Sequence, residues 1–137
     1  MRRSEARQSG ETLVEALVAM MVLAVGFLGL AAMQLKSLQS ADAAVQRGLA
    51  DLAAQDARER LWAALASDSG HACPDAAAVN ASDWHGSWGP WLPGLHGDPV
   101  TALPDCGFVI EVSWLEARFG GEASAFDYRL RLPATPR

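Results

Sequence analysis

The chain has 137 residues and a formal net charge of −5. That length holds one domain plus whatever the N-terminus forms. The acidic balance excludes nucleic acid as a general partner, because phosphate binding needs a basic face. Half of the residues are hydrophobic, but they are unevenly placed along the chain.

The N-terminus carries the only clear basic cluster, Arg2, Arg3 and Arg7, immediately before an apolar run. This arrangement reads as an orientation signal that keeps the arginines on the cytoplasmic side of a membrane. From Leu13 to Met33 the only charged residue is Glu15. The stretch Ala16 to Met33 spans roughly 27 Å as a helix, just enough to cross a bilayer core of about 30 Å when its flanks contribute.

Beyond Met33 the pattern becomes amphipathic. Leu35, Leu38, Val45, Leu49 and Leu52 recur at three-, four- and seven-residue spacings, and Leu61 and Leu65 continue the stripe. Gln34, Lys36, Gln39, Gln46, Arg47 and Asp51 fall mostly elsewhere around the helix. All seven prolines lie at or after Pro74, so nothing in the first half is obliged to break a helix. The pattern predicts one helix from about Thr12 to about Ala66, stopped near Ser69 and Gly70. Its first half meets lipid and its second half needs a packed partner.

Residues 80–107 concentrate Trp84, Trp88 and Trp91 with Pro90, Pro93, Pro99 and Pro104, which spells an irregular but packed loop. Two period-two runs follow. Phe108, Ile110, Val112 and Trp114 share one face, as do Phe126, Tyr128, Leu130 and Leu132. Gly120 and Gly121 between them predict an antiparallel hairpin. The fold class is therefore α+β, a long N-terminal helix packed on a small antiparallel sheet.

Cys73 and Cys106 both lie after the apolar segment. In an exported, oxidising compartment they form one disulfide; buried, unbonded cysteines are the alternative. His71, His85 and His96 share the loop-rich region with Asp75, Asp83 and Asp98, but at no recognised ligand spacing, so solvated histidines are expected and no metal site. The three tryptophans are read as packing for a small head, the alternative being a platform for a sugar or a partner. Ser113 and Ser124 have no histidine or acid at a telling distance, and no phosphate loop exists. Neither catalysis nor a cofactor is expected.

The sharpest signal is Gly10-Glu11-Thr12-Leu13-Val14-Glu15 ahead of the apolar run. An ordinary secretory signal is cut after its apolar core; here the small residue precedes the core. Glu15 lies in the apolar segment, where an acidic side chain costs about 2.5–3.5 kcal/mol at the centre and less near the edge. A cut after Gly10 would place a new amine one turn away, a partner for this carboxylate. A position in the headgroups is the plainer reading.

This string resembles the signal of type IV prepilins and type II secretion pseudopilins. The continuation through Val22-Leu23-Ala24-Val25-Gly26-Phe27-Leu28-Gly29 is similar to the minor pilins of the type IV pilus modification (PilV) family. The resemblance implies processing by prepilin peptidase between Gly10 and Glu11, N-methylation of the new terminus, and pairing of Glu15 with the amine of an adjacent subunit. It implies as partners the major and minor pilins, the peptidase and the inner-membrane assembly platform. The location it implies is a single-pass inner-membrane protein with a periplasmic head, then the filament. The boundaries follow: a leader over 1–10, a membrane and filament-core helix over 11–33, an amphipathic half over 34–69, and a head over 70–137. One departure is Glu11, where the family usually has Phe. With no proline in the helix, Gly26 and Gly29 supply either bending or close helix contact. A pseudopilin, or an unprocessed single-pass protein with a binding head, remains the alternative.

Overall fold

The computed structural model describes residues 5–116 and 122–133. Helix α1 runs over Glu5–Ser67, 63 residues without interruption. It begins before Thr12, where the sequence placed its start, because Glu5, Ala6, Arg7 and Gln8 are good helix formers and a single glycine lowers helix stability without ending it. At the other end the Asp68 carboxylate accepts from the amides of Gly70 at 3.3 Å and Ala72 at 3.0 Å. His71 there takes a φ of 49°, and the chain turns away.

The chain divides into two compact units, Met1–Ala41 and Asp42–Arg137. In the first, every residue from Glu11 through Leu38 is exposed. The second carries the core. Two short helices, α2 (Ala77–Asn80) and α3 (Trp84–Trp88), precede three strands, β1 (Val100–Leu103), β2 (Gly107–Leu115) and β3 (Ala123–Arg131). The stretch read from sequence as an irregular loop thus holds α3 and β1. Strand order is β1-β2-β3, antiparallel throughout. Val112 faces Phe126 and Ile110 faces Tyr128 across the central pair, so the two period-two faces meet as expected. Gly120 and Gly121, assigned to the hairpin turn, lie outside the described residues.

The helical face that packs on the sheet keeps only part of the leucine stripe: Leu61 and Leu65 lie on it and Leu49 at its margin, and alanines make up the rest. Ala50, Ala53, Ala54, Ala57, Leu61 and Leu65 are buried, whereas Leu35, Leu38, Val45 and Leu52 are all more than half exposed. The buried set recurs at helical spacing one step around from the exposed leucines. The physical reason is volume: Trp84, Trp114 and Phe108 fill the space opposite, and a face of methyl groups lets the helix approach such rings closely where leucines would overfill it.

Candidate functional site

Gly10 lies within α1, and Glu11 and Glu15 follow on the same helix, both exposed. Their i, i+4 spacing puts the two carboxylates one turn apart on one side. Directly after them the helix presents Leu17, Met20, Met21, Leu23, Phe27 and Leu28 to the outside, each at 59–73% exposure. Exposed apolar surface on this scale demands lipid or protein around it. By length and composition α1 suffices to cross a membrane. Gly26 and Gly29 sit in unbroken helix with open space where a side chain would be.

In the head, Cys73 and Cys106 are joined in a disulfide with Cα atoms 5.6 Å apart. It ties the segment after α1 to the turn before β2. Asp105 and Cys106 form that turn with φ values of 57° and 55°, closed by the Gly107 amide donating to the Pro104 carbonyl at 3.1 Å. Two consecutive left-handed residues match the twist of a hairpin, as in a type I′ turn, although the position usually favours Asn-Gly.

The three tryptophans part company. Trp84 is buried and its indole N–H donates to the Ala53 carbonyl at 2.9 Å. Half-buried Trp88 donates to Asp56 Oδ2 at 3.0 Å. Trp91 is 64% exposed, so the packing role expected of all three fits Trp84 and Trp88 and not Trp91. A fourth ring, Trp114, donates to Gln46 Oε1 at 2.9 Å. Gln46 and Asp56 therefore serve the head rather than a merely solvated face. Sequence reasoning missed them; the signal was their spacing with Ala50, Ala53 and Ala57.

Asp56 Oδ2 also receives Arg60 Nε at 3.1 Å, and Arg60 Nη1 reaches Asp83 Oδ1 at 2.7 Å and Ser82 Oγ at 3.2 Å. The hydrogen bond from Arg60 holds the Asp83 carboxyl below its usual range and, from the other side, raises the guanidinium. Arg58 is raised first by its hydrogen bond to Glu59 and then by that to the Tyr128 hydroxyl. These contacts fasten α1 to the head.

His85 Nε2 lies 3.0 Å from the Leu95 carbonyl oxygen, and His96 Nδ1 accepts from the Asp98 amide at 3.3 Å. Ser124 Oγ donates to Glu116 at 3.0 Å. Among the described residues, no three of the His, Cys, Asp and Glu side chains are grouped to hold a metal ion. The structure brings Cys73 to Cys106, sets Glu11 beside Glu15, and leaves the loop histidines apart.

No curated protein and no solved structure matches the chain. Residues 6–31 match the prokaryotic N-terminal methylation motif, a stretch that contains Gly10, Glu11, Glu15 and most of the apolar segment. Together with a long apolar N-terminal helix and a small antiparallel sheet, that match supports a type IV pilin-like protein, pilin or pseudopilin, anchored in a membrane and processed by prepilin peptidase.

Proposed function

We propose that the chain is a minor pilin of a type IV pilus, of the PilV kind, which helps to initiate, stabilise or modify the filament. Adhesion and twitching motility are the outcomes this role would affect. The observation that carries the reading is the methylation motif over residues 6–31 lying on one continuous helix, with most of that helix's exposed apolar surface inside the motif. Prepilin peptidase cuts between Gly10 and Glu11. The new amine at Glu11 then lies one turn from Glu15, and in the filament the Glu15 carboxylate meets the amine of a neighbouring subunit, which offsets the cost of holding it at membrane depth. Gly26-Phe27-Leu28-Gly29 favours the pilus over the secretion pseudopilus. In this reading the protein acts by assembly rather than by catalysis.

N-terminal sequencing and intact mass of the membrane form, with and without active prepilin peptidase, test this. A chain that begins at Glu11 only when the peptidase is present supports processing; one that keeps Arg2 and Arg3, or starts beyond Met33, refutes it. Loss of piliation on deletion, with secretion intact, separates pilus from pseudopilus.

A further inference from the structure

The two edges of the sheet are finished differently. Beside β1, the Asn80 side chain donates to the Val100 carbonyl at 2.9 Å and accepts from the Val100 amide at 3.0 Å. Beyond the end of β1 the Pro93–Pro99 segment continues along β2, with the Glu111 amide donating to the Pro99 carbonyl at 2.8 Å and the Leu115 amide to that of Pro93 at 2.7 Å. The other edge is β3, nine residues long with no proline and no bulge in its register.

The Glu116 amide donates to the Glu122 carbonyl and the Leu132 amide to the Cys106 carbonyl, both at 3.0 Å and both in the register of the β2–β3 ladder. Hydrogen bonding alternates along an antiparallel strand. Even-numbered residues of β3 therefore bond β2, and the N–H and C=O groups of Ala125, Asp127, Arg129 and Arg131 turn outward. No backbone partner meets them among the described residues.

Charged side chains often blunt such an edge, and a single sign does so by repelling copies of itself. Here the signs differ. Asp127 stands directly across from Glu111 on the exposed face of the β2–β3 pair, a like-charge juxtaposition that is destabilising. Among the described residues neither acid has an ion-pair partner, and neither has Arg129, the next residue along that face of β3. Arg131 lies 3.8 Å from Asp105.

We infer that β3 pairs with β3 of a second copy of this chain, antiparallel about a two-fold axis at Tyr128. Asp127 then faces Arg129 of the second copy, and Arg129 faces the second copy's Asp127. Each head thus receives a cation beside its Glu111–Asp127 pair. On the other face the half-buried Phe126, Tyr128 and Leu130 meet Leu130, Tyr128 and Phe126 of the second copy. A cleft of about 540 Å³ beside Phe126, lined also by Arg47, Trp114, Ser124 and Ala125, leaves room for the incoming Leu130. Arg131 faces Ala125 and keeps Asp105. The ladder stops where Pro133, which has no N–H to give, would face Ala123.

Charge singles out this register. Sliding by two residues sets Asp127 on Asp127 in one direction and Arg129 on Arg129 in the other, and sliding by one turns the apolar row to the wrong face. A foreign segment would need a cation and an acid in reversed order at the same spacing; β3 already carries them, and one pairing covers both open edges. Every residue involved belongs to the unit Asp42–Arg137, and the inference does not rest on the pilin reading.

The test uses the full chain in density-matched detergent micelles. Sedimentation equilibrium is expected to show a dimer, with amide hydrogen exchange slowed at Ala125, Asp127, Arg129 and Arg131. Asp127→Arg and Arg129→Asp each convert both ion pairs into like-charge pairs, and each is expected to weaken self-association about tenfold. Mixing the two variants makes every pair opposite again and is expected to restore the original affinity, a recovery that misfolded chains could not show. Association through the apolar half of α1 would ignore these charges. Monomer at every concentration, single variants that associate like the original chain, or no recovery on mixing overturns the proposal. In cells, a photocrosslinker replacing Ala125 is expected to capture a second copy; capture of another protein instead, or of nothing, overturns the occupant.

Discussion

The indole of Trp84 donates a hydrogen bond to the carbonyl oxygen of Ala53 at 2.9 Å. The contact reaches into the main chain of α1 itself, which is possible because the surrounding helical face is built of Ala50, Ala54 and Ala57 rather than leucine. It fixes both the approach of the helix and its rotation about its own axis.

Ala53→Leu therefore places three extra carbons against a buried ring and is expected to cost about 1–3 kcal/mol through overpacking. Leu52→Ala, one residue away but on the exposed side, is expected to change stability by less than about 0.5 kcal/mol. Tryptophan fluorescence during denaturant unfolding of the full chain in micelles measures both. Equal losses would mean that the leucine stripe, and not the alanine face, carries the packing.

Asp56 accepts from Trp88 and from Arg60 through one oxygen. Asp56→Ala strips the partner from a half-buried indole N–H and is expected to destabilise by about 1–3 kcal/mol, with Asp56→Asn milder because its amide oxygen still accepts. The Trp88 indole proton resonance, followed by NMR, reports the change directly.

Reducing Cys73–Cys106, or replacing both by serine, reopens a loop with a sequence separation of 33. The chain-entropy estimate for such a loop is about 3–4 kcal/mol. The Asp105–Cys106 turn also loses its clamp, so amide exchange is expected to rise first in β1 and at Gly107, ahead of the β2–β3 ladder. Simultaneous loss of all three strands would contradict this order.

The Asp83 carboxyl is held below its usual range by Arg60. A carboxyl depressed in the folded state contributes stability that is present above its unfolded pKa and lost as pH falls through the folded one. Acidification through and below the ordinary aspartate range should weaken the native chain, and Asp83→Asn should remove a small part of that slope. The part is small because the Asp83 side chain is 82% exposed. A pH titration of the denaturation midpoint for both proteins measures it, and identical slopes would assign no role to the pair.

The legible parts of this fold were those in which one local pattern decides the outcome. An uninterrupted apolar run with no proline gave α1, and strict alternation from Phe108 to Trp114 and from Phe126 to Leu130 gave the central strands. The packing face was read correctly at Leu61 and Leu65 but not at Leu35, Leu38, Val45 and Leu52, because large aliphatics outweigh alanine in any hydrophobicity pattern, while close packing against rings selects the smaller side chain. Strand β1 was hidden because Val100 to Leu103 is four residues between Pro99 and Pro104, and its pairing depends on a turn with two left-handed residues that the string Asp105-Cys106 does not announce. Of the site, the cysteine pair was readable from position and count. The roles of Gln46 and Asp56 were not, since a polar residue on a helix shows its partner only once the helix has turned it toward one.

The disulfide also decides how the head meets mechanical force. Cys73 stands just past the end of α1, and Cys106 immediately before β2. Tension that enters through α1 and leaves through β2 or β3 crosses this covalent shortcut, so the intervening α2, α3 and β1 stay slack while the sulfur–sulfur bond is intact. A head wired in this way can be hauled on by its helix without unravelling the tryptophan-rich segment in between.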